Sequence, residues 1–429
     1  MKTKLIFDGT ILTNEFNKND ARTGIFFVGE NIFNELLKRD DIEVSLYCAL
    51  EKLPDLKRYL ALYNLEFLEI LNECEFGFLQ KLSYECRKLK GETPKNKKIE
   101  RAFYSIFYSV LKKMGKILNG LSGHYLLKKK IEDKDFYFSP VSPVPRVVKQ
   151  AKHIKSAVML HDTIPLIFSE YMPKRLKGNY WFIDLIKSLS KDEIYFANSK
   201  CTKDDFLKYC PELTEEQITV VYLAANDNFR PMDDTSLAEL KTKYNIPKDG
   251  KYIFSLCTMD PRKNLIFAVK NFVEFIKRYN IQDMYFVLGG AAWHSFIHKI
   301  EEEIGDLGEY KDKIIKAGYV DDCDLPVLFS NAFCFVYPSL YEGFGLPVLE
   351  AMKCGAPVIT SNVSSIPEII GDAGIQIDPK NNEEFIQAIN KFYTDESFKA
   401  ECSQRALERA QEFSWERCVE IIVKTYRNR

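Results

Sequence analysis

The chain has 429 residues, of which 46% are hydrophobic and 28% are charged, and its net charge is -1. Such a composition is typical of a globular protein, and the length exceeds what one ordinary core holds, so we expect two domains. A net charge close to zero argues against a protein that attracts nucleic acid through its overall electric field.

The start of the chain shows no recognisable signal peptide, and no apolar stretch is long enough to span a membrane. The 11 cysteines include no Cys-x-x-Cys pair, and several of them fall in strand-like runs. Buried free thiols in a reducing compartment fit this pattern better than disulfides or zinc sites do. We therefore expect a cytoplasmic protein.

Strand-like runs alternate with helical patterns along the chain. The first series comprises 4–8, 43–48, 135–139, 156–161, 193–198 and 218–223. The second series comprises 251–257, 284–289, 314–320, 332–337, 357–360 and 374–377. This alternation predicts parallel sheets with helices on both faces, which is the doubly wound α/β class.

The polar, turn-rich segment 226–234 separates the two series. We place the domain boundary there, which gives a first domain at 1–225, a second domain at 226–412 and a terminal helix at 413–429. Doubly wound sheets bind ligands beyond the carboxyl ends of their strands. Two such domains that face each other would form a binding cleft at those ends.

One insertion in the first domain, at about 81–131, breaks the alternation. Between residues 81 and 130 there are 14 basic and 3 acidic residues, and apolar residues recur at helical spacing. These apolar residues are Phe103, Phe107, Val110, Met114, Ile117 and Leu121. A basic amphipathic helix can lie on an anionic membrane, or it can pack its apolar face on the domain, and the sequence leaves both open. RNA binding fits less well, because no recognised nucleic-acid module accompanies the charge.

The most informative segment runs from Tyr337 to Glu350. An apolar strand there passes into a loop with two glycines, and Pro347 suits the first turn of a following helix. The free N–H groups at such a helix start favour an anion, above all a phosphate. Glu342 and Glu350 flank this start, and two carboxylates beside a phosphate site suit hydrogen bonds to sugar hydroxyls.

Two further motifs follow strand ends. Arg262 and Lys263 come shortly after the run at 251–257, and fixed cations there would stabilise the charge that develops on a departing diphosphate. His161 and Asp162 come at the end of the run at 156–161, where doubly wound folds assemble their sites. A solvated basic pair and a structural histidine are the plainer alternatives.

The segment from Glu342 to Glu350 resembles the E-x7-E signature of the retaining glycosyltransferases of the GT-B fold, family 4. In that fold two Rossmann-like domains face each other across a cleft. The resemblance covers nearly the whole chain and is strongest at 253–379. It implies that the second domain binds a nucleotide-sugar donor, that the first binds an acceptor, and that the terminal helix crosses back to the first domain.

The resemblance also implies roles for individual residues. The catalytic residues would be Glu342, His161 and Asp162, which lie beside the donor sugar and the acceptor. Gly24 would belong to a loop that closes over the diphosphate, although Phe26 stands where relatives often carry a second glycine. An ordinary turn at Gly24 is the alternative. The donor would be bound by Gly24, Arg262, Lys263, Gly343, Phe344, Gly345, Leu346 and Glu350, with Glu350 on the ribose.

The implied function is a hexosyltransferase of bacterial surface polysaccharide synthesis, such as that of lipopolysaccharide, which works with retention and without a metal or other cofactor. GDP-mannose is the first expected donor and a UDP-hexose the second, with a glycan or lipid-linked saccharide as acceptor. Such an acceptor would bring the protein to the cytoplasmic face of the inner membrane, as a peripheral contact. A nucleotide-sugar epimerase, a sugar phosphorylase and a non-catalytic scaffold subunit of the same fold remain the alternatives.

Overall fold

Two six-stranded parallel sheets form the framework of the protein. The computed structural model describes residues 2–16, 24–72, 77–94, 96–118, 128–168, 180–257, 260–290, 302 and 307–429. The first sheet has the strand order β2-β1-β3-β4-β5-β6. Its strands are β1 (Thr3–Asp8), β2 (Ile42–Tyr47), β3 (Phe136–Ser139), β4 (Lys155–Leu160), β5 (Ile194–Ala197) and β6 (Ile218–Val220).

The second sheet repeats this architecture with the strand order β12-β11-β10-β7-β8-β9. Its strands are β7 (Lys251–Leu256), β8 (Met284–Gly289), β9 (Ile314–Gly318), β10 (Cys334–Tyr337), β11 (Val358–Ser361) and β12 (Ile375–Ile377). Central strands such as β3 and β10 are buried at every residue, because helices cover both faces of the sheet.

Helices connect the strands. Those that precede the second sheet's first strand are α1 (Gly24–Leu37), α2 (Leu53–Leu62), α3 (Gly77–Glu92), α4 (Lys98–Leu118), α5 (Arg146–Gln150), α6 (Ile164–Ile167), α7 (Tyr180–Ser188), α8 (Lys200–Tyr209) and α9 (Leu237–Lys243). Those that follow it are α10 (Leu265–Arg278), α11 (Leu325–Ser330), α12 (Leu346–Lys353), α13 (Ile366–Ile370), α14 (Asn382–Thr394), α15 (Glu396–Ala410) and α16 (Trp415–Asn428). Short side chains accept backbone N–H groups at the starts of α8, α14, α15 and α16, which satisfies donors that a helix start leaves unpaired.

The predicted doubly wound fold is confirmed, and every predicted strand is present with its ends shifted by a few residues. The run predicted at 314–320 ends at Gly318, whose φ of +72° turns the chain out of the sheet. The run predicted at 156–161 ends at Leu160, so His161 lies in the loop beyond the strand. Between Val220, the last residue of β6, and Lys251, the first of β7, lies the segment where the domain boundary was placed.

Strand order reverses once in each sheet, between β1 and β3 in the first and between β7 and β10 in the second. The loops that leave the two strands at such a point diverge, and they open a crevice at the carboxyl edge. In the second sheet, the loop after β7 carries Arg262 and Lys263, and the loop after β10 carries Glu342. The fold therefore places three predicted site residues at one switch point.

The terminal helix α16 lies against the first sheet. The Tyr426 hydroxyl donates a hydrogen bond to the Tyr137 carbonyl at 2.9 Å, and the Tyr426 ring lies 4.4 Å from that of Phe136. Arg427 forms an ion pair with Asp41 at 2.8 Å. The chain thus passes between the sheets twice, once after β6 and once before α16.

The basic insertion contains two helices, α3 and α4, which pack against each other around Cys86 and Leu111. Along α4, Phe103, Val110 and Met114 are exposed, so the alternative in which this face packs on the first domain is wrong for them. Leu121 and the side chain of Ile117 lie outside the described residues. Among the described helices, none has the length and apolar character that a membrane span requires.

Candidate active site

Glu342 lies in the loop between β10 and α12, and its carboxylate is buried between two cations. Lys263 Nζ lies 2.7 Å from Glu342 Oε1, and Arg262 Nη1 lies 3.3 Å from Glu342 Oε2. Burial by itself would raise the pKa of Glu342, but the charges of Lys263 and Arg262 outweigh it and hold the pKa below its usual value. Glu342 is therefore ionised at neutral pH, and the anion beside the predicted basic pair is a carboxylate of the chain itself.

Both cations are held in place by further groups of the second domain. Lys263 Nζ donates to the Tyr337 hydroxyl at 2.6 Å, and Arg262 donates to the Tyr341 carbonyl at 2.7 Å and to Asp260 at 3.1 Å. These bonds fix the direction of each cation, so neither has to be ordered when an anion binds. Asp260 and Tyr337 were not predicted as site residues. Tyr337 lies 74 positions from its partner Lys263 along the chain, whereas Asp260 lies only 2 positions from Arg262.

Two serines after β11 fix the backbone on either side of the Glu342 side chain. Ser364 Oγ accepts the Glu342 N–H at 2.9 Å. Ser365 Oγ lies within hydrogen-bonding distance of two carbonyls, that of Glu342 at 3.0 Å and that of Phe344 at 2.9 Å. The loop is therefore pinned at consecutive positions by the neighbouring strand–helix connection.

The start of α12 offers free hydrogen-bond donors to the cavity. Gly345, with φ of +110°, precedes the helix and allows the chain to turn sharply into it. Within the described part of the chain, no acceptor takes the N–H groups of Phe344, Gly345 or Leu346. Three consecutive unpaired N–H groups at a helix start form a site for an anion.

His161 reaches the same cavity from the first domain, at the end of β4. Its Nε2 lies 2.6 Å from the Pro140 carbonyl oxygen, which can only accept, so Nε2 carries the hydrogen and Nδ1 the lone pair. Burial lowers the pKa of His161 to about 4, so the ring is neutral at physiological pH. Next to it, burial raises the pKa of Asp162, an effect that a hydrogen bond from the Ile164 N–H and the charge of Arg262 oppose.

The two domains touch directly where Gly343 meets the backbone of His161. A Cβ atom on Gly343 would lie 2.2 Å from the His161 carbonyl oxygen and 2.8 Å from Asp162 Cβ, which no side chain tolerates. Glycine is therefore required for the loop of the second domain to approach the strand end of the first. This contact sets the separation between Glu342 and the His161–Asp162 pair.

Glu350 lies on the wall of the cavity, within α12. Burial raises the pKa of Glu350 to about 8, and the charge of Asp322 adds to the effect. The carboxyl group is therefore largely protonated at pH 7 in the free protein, so that it can both donate and accept a hydrogen bond. Glu350 and Glu342 thus differ in charge state although both line one cavity.

All of the predicted site residues line a single cavity of about 470 Å³ between the two domains. They are Gly24, His161, Asp162, Arg262, Lys263, Glu342, Gly343, Phe344, Gly345, Leu346 and Glu350. The cavity wall also includes Cys257, Tyr319 and Asp322, which were not predicted as site residues. Arg22 and Thr23, which directly precede Gly24, lie outside the described residues.

We expect that Gly343→Ala lowers the free energy of unfolding by about 1–3 kcal/mol, because the added methyl group overlaps the His161 carbonyl. Thermal unfolding followed by circular dichroism measures this loss. Gly91→Ala is the matched control, because a Cβ at Gly91 in α3 meets nothing within 4 Å. An unchanged melting temperature for Gly343→Ala would show that the two domains do not touch there in solution.

Comparisons with known proteins agree with this geometry. Residues 238–409 match the family of group 1 glycosyl transferases. The chain is 30% identical over 295 residues to the O-antigen chain mannosyltransferase B of Escherichia coli, which covers 68% of this chain and 74% of that protein. It is 27% identical over 278 residues to the serotype-specific mannosyltransferase WbdA of Escherichia coli, of whose length the chain spans 33%.

A crystal structure of HepE from Anabaena in complex with UDP and glucose superimposes over 100% of both chains, with a TM-score of 0.65 and 15% identity. At that identity the likeness establishes the fold, in which two Rossmann-like domains face each other as in the GT-B enzymes. Fold, family match and relatives lead to the same conclusion. The chain belongs to the group 1 glycosyltransferases, and it is a glycosyltransferase of the GT-B fold.

Proposed function

We propose that this glycosyltransferase moves a hexose from a nucleoside-diphosphate sugar to a glycan or lipid-linked saccharide, with retention of configuration and without a metal ion. The observation that carries this proposal is the buried Glu342 carboxylate between Lys263 and Arg262, next to the free N–H groups at the start of α12. GDP-mannose is the preferred donor, because the relatives named above are mannosyltransferases. A UDP-hexose is the second candidate, because the structural neighbour holds UDP and glucose.

The donor's diphosphate would lie at the start of α12, against Lys263 and Arg262. Bond breaking places additional negative charge on the phosphate oxygens, so fixed cations stabilise the transition state more than the ground state. The N–H groups of Phe344, Gly345 and Leu346 add donors whose direction is fixed before the donor binds. These groups supply the positive charge that a metal ion supplies in other transferases, and this supports metal independence.

The sugar would lie between Glu342 and His161. An ionised Glu342 accepts hydrogen bonds from sugar hydroxyls, and a neutral His161 accepts one at Nδ1, since Nε2 is committed to the Pro140 carbonyl. Neither group needs to change its charge during transfer. Glu350, farther along α12, would hold the ribose hydroxyls of the nucleotide.

Retention would follow from attack on the face that the diphosphate leaves. The bond from the anomeric carbon to the phosphate oxygen breaks as the bond to the acceptor oxygen forms, through an oxocarbenium-like state. The proton of the acceptor hydroxyl passes to the departing phosphate oxygen, so no protein base is required. Glu342 is a poor nucleophile, because the charges of Lys263 and Arg262 stabilise its carboxylate.

Glu342→Gln and Lys263→Ala are expected to lower kcat by at least about tenfold, because each removes a charge that acts on the donor in the transition state. Initial rates with GDP-mannose and with UDP-glucose, offered in turn with a saccharide acceptor, measure the effect. Lys391→Ala is the control. Lys391 in α14 is half exposed, contacts Asp395 and the Phe398 ring, and is not among the residues that line the cavity. Full turnover in Glu342→Gln would refute the role of that carboxylate.

The pH dependence of nucleotide binding tests Glu350 separately. The pKa of Glu350 in the folded protein, about 8, lies above that of an ordinary carboxyl group, so most Glu350 side chains carry a proton at pH 7. If the ribose hydroxyls bind the Glu350 carboxylate, nucleotide binding must release this proton. We therefore expect nucleoside-diphosphate affinity to rise between about pH 6.5 and 8.5 in the wild type, more steeply than in Glu350→Gln. Isothermal titration calorimetry at several pH values measures both slopes. Equal slopes would remove Glu350 from the ribose site.

We also propose that the helical hairpin of α3 and α4 contacts a membrane. One face of α4 carries large apolar residues that are between 42% and 87% exposed: Ile99, Phe103, Ile106, Phe107, Val110 and Met114. Their spacing of three and four residues makes a continuous stripe. A large exposed apolar stripe on a protein surface is typical of a site that contacts a membrane or another protein.

The basic residues of the hairpin favour an anionic lipid surface as the partner of the stripe. The hairpin carries exposed basic side chains at Arg87, Lys88, Lys97, Lys98 and Lys113. They outnumber its exposed acids Glu85, Glu92 and Glu100, of which Glu100 pairs with Lys97 at 3.1 Å. Each basic residue near an anionic membrane contributes about 1 kcal/mol of attraction, and the apolar stripe supplies the insertion. A lipid-linked acceptor would be met at such a surface.

Replacing both aromatic residues in Phe103→Ser/Phe107→Ser is expected to lower the fraction of protein that sediments with phosphatidylglycerol vesicles by at least about fivefold, because the apolar insertion is lost. Phe67→Ser is the matched control, because Phe67 is 77% exposed and lies outside the hairpin. The contact would be contradicted if wild-type protein stayed in the supernatant at low salt.

A further inference from the structure

The acid Glu368 belongs to α13 of the second domain, yet its carboxylate binds the backbone of the first domain. Glu368 Oε2 accepts the Lys200 N–H at 2.8 Å, and Oε1 accepts the Cys201 N–H at 2.8 Å. These are the first two N–H groups of α8, which have no partner within their own helix. The Tyr222 hydroxyl, just after β6, also donates to Glu368 Oε2, at 3.1 Å.

The start of α8 is completed by this contact. Ser199, the residue before the helix, accepts the Thr202 N–H at 3.0 Å and so satisfies the third donor. The two carboxylate oxygens of Glu368 accept the first two N–H groups of α8, one each. They lie where the helix dipole favours negative charge. A carboxylate from the second domain therefore serves as part of the N-terminal cap of a first-domain helix.

The same helix holds the loop that carries Glu342. Ser199 Oγ and Thr202 Oγ1 donate to the Gly343 carbonyl at 2.7 and 3.1 Å. One turn along, Asp205 accepts a hydrogen bond from the Tyr341 hydroxyl. The residues on both sides of Glu342 are thus tied to α8, so a rotation of α8 would move the loop.

Glu368 lies at the point where the chain passes between the domains. The Tyr222 ring, on the first crossing, lies 5.8 Å from the Phe413 ring on the second crossing. Phe344, from the donor loop, lies 6.5 Å from Tyr222 and 6.2 Å from Phe413. This aromatic cluster joins the two crossings to the donor loop beside the carboxylate, as expected of a pivot about which two domains turn.

We propose that Glu368 is a positioning residue of the transfer reaction. Its carboxylate fixes α8 to the second domain at the pivot, and α8 in turn fixes the 341–344 loop against His161 and Asp162. The catalytic part of this inference rests on the proposed function, in which Glu342 acts on the donor sugar opposite the acceptor. The mechanical part, the fastening of one domain to the other, stands without it.

The experiment compares Glu368→Ala and Glu368→Gln with wild type. Glu384→Ala is the matched control, because Glu384 also accepts a backbone N–H, that of Asp378 at 2.8 Å, but within the second domain alone. Three quantities are measured for each protein: kcat at saturating substrates, Kd for UDP and GDP by calorimetry, and the radius of gyration by small-angle X-ray scattering.

In Glu368→Ala we expect kcat to fall by about tenfold or more while the nucleotide Kd stays within about twofold, because most of the groups assigned to the nucleoside diphosphate belong to the second domain whereas transfer needs both domains aligned. The radius of gyration should rise, because the pivot is loosened. Glu368→Gln should have a kcat and a radius of gyration between those of wild type and Glu368→Ala, because its amide oxygen replaces one of the two carboxylate acceptors. Glu384→Ala should match wild type in all three.

A kcat for Glu368→Ala within about twofold of wild type, or a loss of nucleotide affinity that matches the loss of kcat, would overturn the positioning role. An unchanged radius of gyration would overturn the mechanical part. If the wild type bound neither nucleotide, the proposed function would fail, and the scattering comparison would still decide whether Glu368 fastens the domains.

Discussion

The Glu342 carboxylate between Lys263 and Arg262 is the interaction on which the rest of the site depends. Removing an ionised group from water costs several kcal/mol, so a buried carboxylate persists only where cations and hydrogen-bond donors surround it. Lys263 at 2.7 Å and Arg262 at 3.3 Å provide the charges, and Ser364 and Ser365 hold the backbone. The network leaves the loop in one conformation, with the start of α12 facing the cavity.

Neither domain contains the site alone. The cations and Glu342 follow strands of the second sheet, whereas His161 and Asp162 follow β4 of the first. The absence of a side chain at Gly343 lets these two groups approach, because any Cβ there would meet the His161 carbonyl. A transfer between two bound molecules benefits from such an arrangement, since much of the barrier is removed by holding the reacting groups in alignment.

Much of this could be predicted from the chain. Buried parallel strands form continuous apolar runs, so each of the 12 strands in the described part of the chain was predicted. Residues just beyond strand ends, such as His161 and Glu342, could likewise be predicted as site residues. That Glu342 is the partner of Lys263 could not be predicted, because the two residues are 79 positions apart and meet only since the strands before them, β7 and β10, are neighbours in the sheet. The exposure of Phe103 could not be predicted either, because periodicity shows that a helix has an apolar face but not what covers that face.

By itself the sequence determined the strand pattern, the doubly wound class, the family resemblance and 11 of the residues that line the cavity. Only the tertiary structure decided which charges neutralise each other, that His161 is neutral while Glu342 is ionised, and that Glu368 caps a helix of the other domain. The reason is physical: local periodicity reports which faces are buried, whereas charge states and contacts between domains depend on desolvation and on distances through space.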